Sequence, residues 1–340
     1  MKVIKYPAKE EWSEIVKRPH LDVSKLNATV QGVLDDVKKH GDEAVKRYEE
    51  MFDHAHLDSL AVTEAEIEEA EQLVSQELKD ALHLAHHNIA AFHQSQKFEG
   101  EKVETCPGVT CWQKSVAIQK VGLYIPGGTA PLFSTVLMLA TPAKIAGCEE
   151  IVLCTPPNQE GKVNPAILMA AKIAGVSKIF KAGGVQAIGA MAYGTESVPK
   201  VYKIFGPGNQ FVMAAKQQVS LHDVAIDMPA GPSEVCLIAD ETANPVFAAA
   251  DLLSQAEHGF DSQVFFITTS EKVLENVKKE VEAQLERLPR KEMAQTSLDN
   301  SKFILVKDDE EAIDLCNTYA PEHLIIATAN YEQLAERVVN

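Results

Sequence analysis

The stretch that decides the fold is DMPAGPSEVCLIA, residues 227–239, with the segment that follows it to LLSQAEHG, residues 252–259. Pro229, Gly231 and Pro232 impose an irregular turn, because proline fixes its backbone and glycine frees it. Val235 to Ala239 is then a short apolar run, the pattern of a buried strand. Asn244 suits a helix N-cap and Pro245 the first helical position. Gly259 suits a left-handed helix stop. The spacing therefore predicts a helix from Pro245 to His258. Gln255 and His258 share its last turn, three residues apart on one face. A second polar pair, Glu322 and His323, follows Pro321 and precedes the strand-like run Leu324 to Ala327.

Outward from this stretch the chain alternates. Before it, strands are expected at 121–125, 151–154, 179–182, 201–205 and 224–226, with helices between them. After it, strands are expected at 264–268, 303–306 and 324–327, and the last segment, 331–339, reads as a helix. Strands alternating with helices at this spacing mean parallel, doubly wound sheets with right-handed crossovers. The first hundred residues read as helical. Gly41 stops one helix, and Thr63 with Glu66 forms a capping box for another.

The 340 residues exceed one ordinary domain. The expected class is α/β, with two Rossmann-like parallel-sheet domains, one inserted in the other, and an N-terminal helical segment. The expected boundaries are an N-terminal segment 1–20, a discontinuous domain 21–123 plus 234–340, and an inserted domain 124–233. Composition is that of a soluble globular protein, 46% apolar and 24% charged. A net charge of −17 argues against nucleic acid and anionic membrane as partners. No signal peptide or apolar span of membrane length is visible. Six cysteines without C-x-x-C spacing read as reduced thiols in a cytoplasm.

In an open parallel sheet, ligands bind beyond the carboxyl ends of the strands. Gly-containing turns are expected there at 126–128, 183–184 and 206–209, each opening a helix whose N-terminus suits a phosphate. Tyr124, Gln186 and Asn209 sit at these ends and are candidates for cofactor contact. Gly206-Pro207-Gly208 begins like a dinucleotide fingerprint, but Phe211 stands where the third glycine belongs, so tight-turn chemistry explains it as well. Gln255 and His258 are candidate metal ligands, with helix capping as the alternative. His323 can accept a proton from an alcohol and Glu322 can orient a water; two exposed loop residues are the alternative. Ser233 lacks a nucleophile elbow and suits hydrogen bonding. His83 and His87 lie four apart on one helix, yet no carboxylate or cysteine joins them, so a solvated face is expected.

Taken together, VGLYIPGG at 121–128, KIFGPGN at 203–209, DMPAGPSEV at 227–235, DLLSQAEHG at 251–259 and PEHL at 321–324 closely resemble the histidinol dehydrogenase family, in its order and at its spacing. The resemblance implies oxidation of L-histidinol through an enzyme-held aldehyde to L-histidine, with two NAD and one zinc per site, in a homodimer. It implies Gln255 and His258 as zinc ligands, the zinc holding the substrate imidazole and amine. It implies His323 as general base, Glu322 with His323 as activator of the attacking water, and Ser233, with Gln255, His258 and His323, in contact with substrate. Tyr124, Gln186 and Asn209 would touch NAD. The resemblance also implies further ligands, an aspartate and a partner-borne glutamate and histidine, in segments past Asn340. With two of four tetrahedral ligands, weak zinc binding, little turnover and a weakened dimer are expected of the 340 residues. The alternative class is a non-catalytic α/β protein that binds a small imidazole compound or nucleotide.

Overall fold

The computed structural model describes residues 1–18, 24–127, 131–228 and 233–340. The expected turn at Pro229, Gly231 and Pro232, and the end of the 126–128 turn, lie outside the described residues. The chain forms two compact units, Met1–Leu21 with Ala230–Asn340, and Asp22–Pro229.

The first unit opens with β1 (Lys2–Lys5) and the short helix α1 (Trp12–Ile15). The second unit starts with α2 (Ser24–Tyr48), α3 (Glu64–Leu73), α4 (Gln76–Ser95) and a hairpin of β2 (Lys102–Cys106) and β3 (Val109–Trp112). It continues through β4 (Lys120–Tyr124), α5 (Phe133–Ala146), β5 (Glu150–Thr155), α6 (Pro165–Ala174), β6 (Lys178–Lys181), α7 (Gly184–Tyr193), β7 (Lys203–Phe205), α8 (Gln210–Ser220) and β8 (Ala225–Ile226). The first unit resumes with β9 (Glu234–Ala239), α9 (Pro245–Ala256), β10 (Gln263–Thr268), α10 (Glu271–Leu285), α11 (Lys291–Asp299), β11 (Lys302–Leu305), α12 (Asp309–Tyr319), β12 (His323–Ala327) and α13 (Tyr331–Ala335).

Each unit holds a five-stranded, wholly parallel sheet. In the second unit the order is β6-β5-β4-β7-β8; in the first it is β1-β11-β10-β9-β12. The winding is the same in both. The chain steps outward three strands one way, then returns to the other side of its starting strand, leaving a switch point at β4/β7 and at β9/β12. Both faces of each sheet are covered, so the central strands are apolar through their middles, with polar residues only at their ends. Val235, Leu237, Val264 and Phe266 face one core of the first unit, and Cys236, Ile238, Phe265 and Ile267 the other.

The division of the chain differs from the sequence expectation. Residues 22–123 belong with 124–229, not with 234–340. The reason is packing. Val30, Val33, Leu34 and Val37 of α2 join the same core as Ile188 and Met191 of α7. Gly189 permits that approach, since a Cβ there would meet Leu34 and Val37 at 3.3 Å. Leu82 of α4 and Ala70 of α3 complete the core on the other sheet face. The first hundred residues are also less uniformly helical than expected. The exception is β1, a four-residue edge strand; past residue 100, the hairpin of β2 and β3 is exposed throughout, and neither carries the buried alternation that marks a strand. Among the described residues no helix is long and apolar enough to cross a membrane.

Candidate active site

Two groups of the expected site residues come together, one in each unit. In the second unit they stand at the carboxyl edge of the sheet, around the β4/β7 switch point, where an open α/β sheet places its ligand crevice. Tyr124 is the last residue of β4 and its hydroxyl accepts a hydrogen bond from the Gly184 N–H at 3.0 Å. Gln186 lies in the first turn of α7. Its Nε2 donates to Glu49 Oε1 at 2.8 Å, and the Gly183 N–H donates to the same oxygen at 2.8 Å. The turn at 183–184 is thus not an open phosphate site: its N–H groups are already held by a carboxylate and a phenol of the chain.

Glu49 is wholly buried and begins a single π-helical turn, Glu49–Asp53, which continues α2. Burial pushes its carboxyl up to about 7, against the lowering effect of the Gly183 and Gln186 bonds. Asp53, at the other end of the turn, is raised as well, chiefly by burial. Burial likewise raises the Tyr124 phenol. No motif marked Glu49; its signal was a carboxylate at the end of an apolar helical stripe.

Asn209 caps α8, its Oδ1 accepting from the N–H groups of Phe211 and Val212 at 3.1 Å each. Its turn is locked by an ion pair whose lysine is buried. Lys216 Nζ donates to the Gly206 carbonyl at 2.7 Å and to Asp227, and the Gly206 N–H donates to Asp227 Oδ2 at 2.8 Å. Gly206 has φ +128°, and a Cβ there would stand 2.1 Å from the Tyr124 carbonyl oxygen. Glycine is therefore required by both conformation and space.

In the first unit the expected residues gather at the opposite, amino edge. Ser233 precedes β9 and its carbonyl accepts from the Gln263 N–H at 3.4 Å. His323 begins β12 and pairs in register with Val235 of β9. A crossover helix returns the chain to the edge where its strand began, so the end of α9 arrives at the same edge. That helix ends at Ala256, two residues short of the sequence expectation, and Gly259 is not its left-handed stop. The cap is Glu257, at φ −80° and ψ −1°. Gln255 remains in the helix and is 7% exposed; His258 follows in the turn, its N–H bonded to the Gln255 carbonyl at 3.2 Å.

The two halves of the pair at 322–323 converge. Glu322 Oε2 lies 3.9 Å from His323 Nδ1. His323 Nδ1 also stands 3.3 Å from the Glu234 carbonyl oxygen. A carbonyl only accepts, so Nδ1 carries the proton and Nε2 of the neutral ring offers its lone pair outward. His323 is 57% exposed at the side chain, as a proton acceptor for a ligand must be.

A neighbouring residue absent from the sequence reading is Arg18. Its Nε donates to Glu234 Oε1 at 2.6 Å, and its Nη2 to the carbonyls of Tyr319 and Ala320 at 2.7 and 2.8 Å.

Three of the six thiols are poor candidates for a nucleophile. Cys148, Cys154 and Cys236 are buried, and burial raises all three, the reverse of thiolate activation. His83 and His87 on α4 are exposed. Among the described residues no three His, Cys, Asp or Glu side chains gather as a metal site.

The groups left free by these bonds fit the two expected ligands in kind. Gln186 Oε1 is buried and orphaned, and Asn209 keeps its amide donors, since its oxygen is spent on the cap. This is a set of polar handles for a cofactor. Gln255 Nε2 is likewise buried without a partner among the described residues. An amide nitrogen donates and does not ligate a cation, so a metal here would take Gln255 Oε1 with the His258 imidazole, two of the four donors of a tetrahedral site.

Comparison with known proteins bears on these groups. Residues 16–340 match the family defined as histidinol dehydrogenase. The chain is 67% identical over 340 residues to a histidinol dehydrogenase of Bacteroides thetaiotaomicron, covering all of this chain and 79% of that one. It is 50% identical over 334 residues to the histidinol dehydrogenase of Escherichia coli K12, covering 97% of this chain and 76% of that one. The crystal structure of histidinol dehydrogenase from Elizabethkingia anophelis superposes with a TM-score of 0.97 at 50% identity, over all of this chain and 78% of that one. The chain belongs to the histidinol dehydrogenase family of oxidoreductases.

Proposed function

We propose that this chain oxidises L-histidinol through L-histidinal to L-histidine at the amino edge of the first unit, with NAD held at the carboxyl edge of the second. The observation that supports the reading is topological: Ser233 before β9, Glu322 and His323 at the start of β12 and the end of α9 all lie at the amino edge of the same sheet. When bound, NAD accepts hydride, and zinc orients the substrate imidazole and amine.

The chain's own residues do the rest. His323 Nε2 takes the alcohol proton, and Glu322, 3.9 Å from the other ring nitrogen, offsets the charge the ring acquires. Once His323 has released that proton to solvent, the same pair removes a proton from the water that attacks the aldehyde in the second oxidation. Ser233 hydrogen-bonds the substrate. Gln255 and His258 would hold the zinc. Tyr124, Gln186 and Asn209 would hold NAD, Gln186 through its free oxygen and Asn209 through its amide N–H groups. We further propose the homodimer implied by the family and a cytoplasmic setting. Sedimentation of the chain tests the dimer, and a monomer at all concentrations contradicts it.

Calorimetric titration of L-histidinol into the chain with excess zinc tests the site. Binding that is lost with zinc omitted, and lost in His258→Ala, supports it. Binding indifferent to both changes sinks it.

A further inference from the structure

Arg18 lies outside every motif of the sequence, yet it touches both segments that carry the proton acceptor. We propose that Arg18 is a positioning residue for His323, an inference that rests on reading His323 as the general base.

The guanidinium works as a fork with three bonds. Nε holds the Glu234 carboxylate, which is 9% exposed, and Nη2 holds the last two carbonyls of the α12 end, Tyr319 and Ala320. Those carbonyls have no partner within a helix, and a cation suits the negative end of the helix. The guanidinium also lies over the Tyr319 ring, 4.6 Å from its centroid. Tyr319 is fixed in turn: its hydroxyl donates to Gln263 Oε1 at 2.8 Å, and Gln263 Nε2 donates to the Asn300 carbonyl at 2.9 Å.

Both routes lead to His323. Ala320 sits in the left-handed region at φ +51°, an uncommon place for alanine, and only Pro321 and Glu322 separate it from His323. Glu234, gripped at its side chain by Arg18, gives its carbonyl to His323 Nδ1. One guanidinium thus sets the chain entering β12 and the acceptor that fixes the imidazole tautomer. Lysine cannot replace it, having one nitrogen where three bonds need a planar fork.

The test uses the 340-residue chain with Arg18→Gly and Arg18→Lys, read by amide exchange and by NADH formation from L-histidinol in excess zinc. Arg18→Gly should speed exchange across 320–325 at least ~10-fold, while β10 keeps its protection. It should lower kcat by about 100-fold, the scale of a misplaced catalytic group, and leave the KM for NAD within about twofold. Added methylguanidinium should restore part of kcat, which a general loss of stability would not allow. Arg18→Lys should behave like Arg18→Gly without rescue, and it serves if the glycine variant does not fold. Unchanged exchange across 320–325, or full kcat in either variant, overturns the proposal. A wild-type chain without turnover counts against the histidinol reading alone, and the exchange result still decides the role of Arg18.

Discussion

Gln186 is tied through its Nε2 to Glu49 Oε1 at 2.8 Å, and Glu49 has no exposure to solvent. The bond settles which end of the Gln186 amide is free, because Glu49 Oε1 already accepts from Gly183. It also makes the fold sensitive to pH. Glu49 is raised from 4.5 to about 7, so the fold favours its protonated form. That stabilisation is complete below pH 4.5 and is lost as pH rises through about 7. A shift of this size corresponds to about 3 kcal/mol. Urea unfolding at pH 5 and pH 8 should show it, and Glu49→Gln, which stays neutral and still accepts both bonds, should flatten the difference. A Glu49→Gln variant that loses stability with pH as steeply as wild type would refute this.

The Lys216–Asp227 pair predicts a different failure. Lys216→Met leaves the Asp227 charge uncompensated and the Gly206 carbonyl without its donor, with only the Gly206 N–H bond to Asp227 remaining. Breaking a pair of which one member is buried costs about 3 kcal/mol. Chemical denaturation should show that loss, and NAD binding should weaken beyond it, since Asn209 stands in the loosened turn. Unchanged NAD affinity in a folded Lys216→Met would separate this turn from the cofactor.

Asn209 carries two loads that one substitution pair can divide. Asn209→Asp keeps the oxygen that caps α8 and removes the amide N–H donors, so stability should hold while NAD affinity falls by about tenfold, one lost hydrogen bond. Asn209→Ala should lose affinity and about 1 kcal/mol of stability together. Equal NAD affinity in wild type and Asn209→Asp would contradict the assignment.

Gly206→Ala should be the most damaging small substitution in the second unit. Its methyl would fall 2.1 Å from the Tyr124 carbonyl oxygen at a φ of +128°. A loss of at least ~3 kcal/mol is expected, from strain and displaced backbone together. Unfolding indistinguishable from wild type would contradict it.

Much of this was legible in the sequence. All nine strands expected in the alternating region are present, because doubly buried strands are short apolar runs between turn residues. Gly41 does break α2, at φ +53°. The strand β1 was hidden, since one edge strand of four residues carries little pattern. The domain boundary was hidden too: a helix stripe shows that a face is buried, not which sheet buries it. For the site, adjacency singles out the pair Glu322 and His323, and helical spacing singles out Gln255 and His258, as candidates. Neither rule reaches Arg18 or Glu49, whose partners lie 216 and 137 residues away in the chain. The general rule favours carboxyl ends, yet the first unit brings its candidate residues to the amino edge.

The central claim is that His323 is the proton acceptor for L-histidinol, and its most direct test is NADH formation from L-histidinol with excess zinc, comparing wild type with His323→Asn. The ratio of the two rates decides, whatever their absolute size. His323→Asn should lower the rate by about 100-fold or more, as removal of a general base does, with NAD affinity unchanged. A rate undiminished by the substitution would contradict the account.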